Sequence, residues 1–323
     1  MSISMNSQSA LHEVESRCTQ ERPPRCQSLC PLGLDARAFL GHAAEGRWSD
    51  ARKQLERYLP LPGLLARVCD HPCEQGCLRG DLGGAVNLHG LEIFCTKHLG
   101  VQTRSLPMSR KQKRIAVIGA GLAGLVCAWD LAGKGYPVTV FEKEQALGGM
   151  LTLGIPSFRL DKAVVNAEID ILKELGVEFR TGVEVGKDVT LDALRAEGYK
   201  AFYLGIGASK GTSLGCKGDE LPGVYTGIDF LREVNLGKKP KVGKSVAVIG
   251  GGNVAIDVAR SAARLGAKSV TVVYRRSEEE MPAAADEVEE ARAEGVKFMF
   301  LAAPAEIIGE GKAEQLKVEL MEL

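Results

Sequence analysis

The stretch "KRIAVIGAGLAGLVCAWDLAGKGYPVTVFEKE", residues 113–144, sets the fold class. Ile115 to Ile118 form a continuous apolar run, the pattern of a strand buried on both faces of a parallel sheet. Gly119, Gly121 and Gly124 follow as G-x-G-x-x-G. A helix is predicted through Leu131, and Gly133 and Gly135 close it before a second strand, "VTVFE". Strand, glycine turn, helix and strand in this order make a dinucleotide-binding βαβ unit. Gly119 permits the tight turn, Gly121 lets a pyrophosphate approach the backbone, and Gly124 lets helix and strand pack closely. The helix N-terminus presents its free N–H groups to the phosphate charge. Glu142 ends the second strand, placed to accept hydrogen bonds from ribose hydroxyls.

The pattern returns at "KSVAVIGGGNVAIDVARSAARLGAKSVTVVYRR", residues 244–276. Ser245 to Ile249 are predicted as the strand, Gly250, Gly252 and Ala255 as the turn, and the next strand runs to Tyr274. In place of Glu142 this copy has Arg275 and Arg276. A carboxylate reads a free 2′-hydroxyl and repels a 2′-phosphate, and guanidinium groups do the reverse. The first turn is therefore expected to take FAD and the second NADP(H). NAD(H) stays open, because Glu278, Glu279 and Glu280 follow and either neutralise the arginines or begin the next helix. Asn253 and Asp257, at the start of the second helix, either orient the nicotinamide or cap and pack. Past the first unit, Gly148 and Gly149 in "ALGGM" offer backbone to a flavin phosphate, and "AFYLGIGAS", 201–209, predicts a strand whose small residues let a cofactor pass near Gly207 and Ala208. Ordinary turn glycines are the alternative for both. Two dinucleotide sites on one chain suit hydride transfer from a nicotinamide to a tightly held flavin.

The segment before these units has a different chemistry. Seven of the nine cysteines fall between 18 and 95, and all five histidines lie before residue 99. "RCTQERPPRCQSLCPL", 17–32, holds Cys18, Cys26 and Cys30; "VCDHPCEQGC", 68–77, holds Cys69, Cys73 and Cys77. Between them "DARAFLGHAAEGRWSDARKQLERYLPLPG" carries apolar residues three and four apart and predicts a helix that Pro and Gly stop near 60–63. Tetrahedral zinc usually shows ligand pairs, whereas this chain has two triplets. Paired iron–sulfur clusters share ligands between sequence blocks, and two cubanes would each need one ligand more. Zinc, or a degenerate domain that keeps its cysteines as small hydrophobes, remains the alternative. "VQTRSLPMSRKQKR", 101–114, is polar and basic and predicts a linker.

At 323 residues, 45% apolar and 25% charged, the chain is long enough for two or three cored domains. Zero formal charge gives no field to gather nucleic acid. No apolar run is long enough to span a membrane, and the polar N-terminus lacks a secretory pattern. A cytoplasmic location is expected, where clustered cysteines favour metal or redox work over structural bridges.

With "SRC", "CPLGLDARAF", "LPLPGLLARVCDHPCEQGC", "GAVNLHGLE", "VIGAGLAGL", "GGMLTLGIPSFRLDKAVV", "VIGGGNVAIDVAR" and "VVYRRSEEEMPAAADEVEEA" in view, the chain resembles the small (beta) subunit of glutamate synthase and its relatives, including the N-terminal part of dihydropyrimidine dehydrogenase. The resemblance runs over about residues 12–323. It implies an α/β fold with two Rossmann-like dinucleotide-binding domains preceded by an α-helical iron–sulfur domain. The expected domains are 1–112 for the clusters, 113–241 for FAD and 242–323 for NAD(P). It further implies one or two [4Fe-4S] clusters: Cys18, Cys26 and Cys77 in one; Cys30, Cys69 and Cys73 in the other, with Glu92 where relatives place a carboxylate or amide ligand. Cys95, Cys127 and Cys216 match no ligand position. Glu21 stands where the family has a cysteine, so that cluster is either carboxylate-ligated or absent. The stretch "LKVELMEL", 316–323, is expected as a strand of the nicotinamide domain; the family continues into a closing segment over FAD, which is not present before Leu323, so the sequence predicts a truncated chain or a more exposed flavin.

The expected activity passes hydride between NAD(P)H and FAD, then single electrons through the clusters to or from a catalytic oxidoreductase subunit. No nucleic acid or membrane is expected as partner, and no protein acid, base or nucleophile is required. A thioredoxin reductase would need Cys-x-x-Cys beside the flavin, and none occurs after residue 113. The other alternative is an assembly subunit that keeps the fold and FAD with degenerate clusters.

Overall fold

The computed structural model describes residues 23–99 and 109–322. They form two compact units, and the chain passes between them more than once. The first unit takes the described residues up to Lys143 together with Lys162–Gly205, and the second takes Glu144–Asp161 with the described residues from Ile206 onward.

The first unit begins with short helices. The single helix expected from 35 to 63 is instead three: Ala36–Ala44, Trp48–Tyr58 and Pro62–Val68. Gly46, at φ +71°, makes the first break, in a region that glycine enters at little cost. Pro62 was expected to stop a helix, yet it starts one at the first helical position, where its missing N–H costs nothing. Phe39, Ala51, Leu55, Leu59, Leu88 and Cys95 form the core of this helical part.

A four-stranded sheet follows, ordered β3-β2-β1-β4. Its strands are β1 (Arg114–Ile118), β2 (Val138–Glu142), β3 (Glu178–Thr181) and β4 (Tyr199–Leu204), and every pairing is parallel. β2 is buried along its whole length, its polar Thr139 and Glu142 included. The helix Leu122–Gly133 makes the crossover from β1 to β2. Part of the expected linker is docked here, because Lys111 N donates to Gly135 O at 2.8 Å; residues 100–108 lie outside the described chain.

The second unit holds a parallel sheet of β5 (Ser245–Ile249), β6 (Ser269–Val273) and β7 (Lys297–Met299), ordered β5-β6-β7. The helices Asn253–Arg264 and Ala285–Ala293 connect these strands, and Ile256, Ala259, Val270, Val272 and Ala291 form the core. "LKVELMEL", expected as a strand of the nicotinamide domain, contributes β9 (Gln315–Leu320), paired antiparallel with β8 (Ala302–Ile308) in a ribbon separate from the β5-β6-β7 sheet. Its alternating exposure fits a one-sided ribbon better than a buried parallel strand. No helix among the described residues is long and apolar enough to cross a membrane.

Candidate functional site

The first glycine turn lies between β1 and the helix Leu122–Gly133. Its glycines are required for different reasons. Gly119 sits at φ +102° and donates to Phe141 O at 2.7 Å. A Cβ on Gly124 would lie 1.9 Å from Gly119 O, so helix and turn approach as closely as glycine allows. Gly121 has φ −74° and open space where a Cβ would stand, so nothing in the folded chain requires glycine there. Glu142 is buried, and its Oε2 accepts from Ala120 N at 2.8 Å, which places the carboxylate at the turn itself.

The second turn follows the same rules. Gly250 has φ +134° and donates to Val273 O at 3.1 Å. Gly251, not singled out from sequence, is held to glycine by Tyr274, whose ring would come within 2.5 Å of a Cβ. Gly252 has extended backbone and open space beside it, as at Gly121. Ala255 stands where the first turn has Gly124 and is buried against the sheet.

Arg275 and Arg276 are exposed, and among the described residues neither side chain has a hydrogen bond or ion pair. The following glutamates are engaged elsewhere or turned out: Glu278 pairs with Arg292 at 2.8 Å, and Glu280 accepts from Ser277 N and Oγ at 3.3 Å. The next helix begins only at Ala285. A strap, residues 277–284, is tied at three points, two on the turn and one on Tyr274 after β6. Ala283 N donates to Gly251 O at 3.0 Å, Ala284 N to Asn253 Oδ1 at 2.9 Å, and Tyr274 OH to Glu280 O at 3.0 Å.

Asp257 faces inward. It is buried, accepts from Arg159 at 2.8 Å, and burial pushes its carboxyl up to about 6 against the pull of that arginine. Arg159 also binds Glu287 at 2.6 Å, and Glu287 and Glu294 hold Arg260. Sequence reading missed this network; its signal was charge on a helix buried on nearly every side. Gly148 (φ +105°) and Gly149 (φ +54°) lead into the helix Met150–Leu153, and Gly207 (φ +64°) and Ala208 are exposed just after β4. These four belong to the second unit, whereas Gly119, Gly121, Gly124 and Glu142 belong to the first.

In the helical part, Cys26 lies on the helix Arg25–Leu29 and Cys30 caps it. Cys69 caps the helix Pro62–Val68, Cys73 lies in Pro72–Gln75, and Cys77 follows Gly76. The two cysteine blocks interlock: a Cβ on Gly76 would lie 2.0 Å from Leu29 Cδ1. Glu74 accepts from His89 N at 2.6 Å and pins the helix Leu88–His98, which carries Glu92, to the second block. Burial pushes the Cys73 thiol up to about 12, helped by Glu92, Glu74, Cys69 and Cys30. Burial and then Glu74 push Glu92 up to about 7. Cys73 thus lies within electrostatic reach of Cys30, Cys69 and Glu92, and thiols beside a buried carboxylate fit a cationic centre with mostly soft ligands. Among the described residues no three His, Cys, Asp or Glu side chains are gathered tightly enough for a single metal ion; a four-iron cluster spreads its ligands more widely. Cys18 and Glu21 lie outside the described residues.

Residues 110–322 match the family described as pyridine nucleotide-disulphide oxidoreductase, and residues 1–103 match dihydropyrimidine dehydrogenase domain II, 4Fe-4S cluster. The small chain of NADPH glutamate synthase from Halomonas elongata is 38% identical over 94% of this chain and 67% of its own length. The chain belongs to the glutamate synthase small-chain family of pyridine nucleotide-disulphide oxidoreductases. Another relative, the beta subunit of the NADP(+)-dependent formate dehydrogenase of Moorella thermoacetica, is 39% identical over 88% of this chain. The chain spans only 44% of that subunit. Mycobacterium tuberculosis FprA, solved with NADPH, superposes with a TM-score of 0.57 at 22% identity over 65% of this chain and 64% of its own, a likeness of fold. The cofactor classes of this small-chain family member follow from its two matches: FAD and a nicotinamide nucleotide, and 4Fe-4S.

Proposed function

We propose that the protein is the electron-input subunit of a larger oxidoreductase. NADPH delivers hydride to FAD, and single electrons pass through 4Fe-4S to a catalytic partner subunit. The observation that carries this reading is the opposite charge at two otherwise equivalent turns. Glu142 closes the first, and the unpaired Arg275 and Arg276 stand beside the second. The chain's residues then have separate tasks. Gly119, Gly121, Gly124 and Glu142 hold the FAD pyrophosphate and ribose, and Gly148, Gly149, Gly207 and Ala208 supply further backbone to the flavin. Gly250, Gly252 and Ala255 seat the nicotinamide nucleotide, Asn253 keeps the strap beside it, and the arginines bind its 2′-phosphate.

Cys26 and Cys77, with Cys18 and the carboxylate of Glu21, would hold one cluster; Cys30, Cys69, Cys73 and Glu92 would hold the other. The domain division we propose is 1–112 for clusters, 113–241 for FAD and 242–323 for the nicotinamide nucleotide. Relatives that are beta or small chains of larger enzymes support a partner that receives the electrons. Iron, sulfide and flavin per chain after anaerobic purification test the reading. Flavin with four or more irons is the expected result, and a colourless protein overturns it.

A further inference from the structure

Glu168 lies on the helix Lys162–Glu174, among Val165, Ile169 and Leu172 on the face turned to the interior. It is 1% exposed. One of its oxygens accepts from the backbone N–H of Gly63, 105 residues away. That amide belongs to the first turn of the helix Pro62–Val68, where an N–H has no carbonyl one turn earlier to bond. Water does not serve it, since Leu61, Pro62, Gly63 and Leu64 are all buried. The carboxylate therefore caps this helix from another part of the chain. The fit leaves no slack, because a Cβ on Gly63 would meet Glu168 Oε1 at 2.5 Å.

A buried carboxylate is costly, and here only one oxygen is bonded. Glu168 Oε2 and Arg52 Nη1 are both buried without a hydrogen-bond partner among the described residues. Apolar packing alone would hold two helices together at lower cost. What the carboxylate adds is a fixed register, and its position shows whose register is fixed. The capped helix is about 10 Å long at 1.5 Å per residue, and Cys69 caps its other end, with Cys69 N donating to Leu65 O at 3.1 Å. Arg67, on the same helix, donates to Gly63 O at 2.7 Å and to Thr96 Oγ1 at 3.4 Å, on the helix that carries Glu92. On the other side, Lys162–Glu174 packs on Leu122–Gly133, the helix that follows the first glycine turn.

We propose that Glu168 is a positioning residue that fixes the cysteine-bearing helix Pro62–Val68 against the flavin-binding turn and so sets the path from flavin to the Cys69 cluster. The proposal rests on the electron-input reading, and its test separates the two. Glu168→Ala, Glu168→Gln and Gly63→Ala are compared with the parent protein as purified with its cofactors. Amide exchange at Gly63 is read first. It accelerates roughly tenfold or more in Glu168→Ala and less in Glu168→Gln, which keeps an acceptor. Anaerobic mixing with NADPH then shows flavin bleaching at the parent rate, while cluster reduction slows in Glu168→Ala and is partly restored in Glu168→Gln. Gly63→Ala gives the same split from the opposite side of the contact, and stays informative if Glu168→Ala does not fold.

Unchanged amide exchange overturns the clamp. Faster exchange with unaltered cluster reduction overturns its positioning role. If NADPH reduces no cluster in the parent protein, the electron-input reading and the positioning role fall together, and amide exchange still decides the clamp.

Discussion

Gly121 and Gly124 lie three residues apart in one turn, yet the structure predicts different failures for them. Gly124→Ala forces a Cβ against Gly119 O at 1.9 Å, so it should destabilise the fold by roughly 1–3 kcal/mol, as overpacking does. A Cβ on Gly121 meets nothing within 4 Å, so the thermal unfolding of Gly121→Val should match the parent apoprotein while FAD binding is lost. Equal FAD content in both proteins would remove the pyrophosphate from Gly121. At the second turn, Arg275→Ala should weaken NADPH binding by roughly 1.5–3 kcal/mol, the range for a hydrogen bond to a charged group, and leave NADH nearly unchanged. Titration of each nucleotide checks this, and equal losses would remove the 2′-phosphate from Arg275. Sequence could foresee these positions because glycine spacing and charge at a strand end are local features. It could not separate the glycine needed for packing from the one needed for ligand, since that depends on what stands 4 Å away.

Among the elements, the strap 277–284 behaves as an extension of the second turn. Asn253→Ala removes the acceptor for Ala284 N, one of its three ties. The loss of one such bond, about 0.5–1.5 kcal/mol, should raise the KM for NADPH by roughly 2–10-fold with kcat unchanged. Steady-state kinetics with an artificial acceptor measures it, and a fall in kcat at constant KM would place Asn253 at the nicotinamide instead. The strands flanking the two glycine turns were legible, because apolar runs and glycine turns mark them, whereas the short edge strands β3 and β7 carry charged residues and no such mark. The three short helices between the cysteine blocks were not. Apolar spacing continues across Gly46, and Pro62 looks the same at the end of a helix as at its start. β9 was legible as a strand but not in its pairing, because its partner β8 lacks the alternation that would mark a ribbon. The buried charges Arg52, Glu168, Asp257 and Arg260 break the apolar faces of their helices. That break is visible in sequence; Arg52 pairs with Glu56 one turn on, but the partners of Glu168, Asp257 and Arg260 are not visible, because they come from distant segments.

For the whole molecule, the cysteine blocks form a core with Phe39, Leu55 and Leu88 that is separate from the sheet core around Phe141 and Tyr199. Cofactor loss in one part should therefore leave the other standing. Cys73→Ser should lower iron per chain while FAD remains stoichiometric, and unchanged iron would remove Cys73 from the ligand set. The central claim is that one chain takes hydride at the Arg275 side and releases single electrons at the cysteine side. Anaerobic titration with NADPH, followed by absorbance and low-temperature electron paramagnetic resonance, tests this directly. The account predicts that the flavin bleaches and that a reduced iron–sulfur signal grows from the same NADPH. A bleached flavin beside clusters that stay oxidised, although dithionite reduces them, would contradict it.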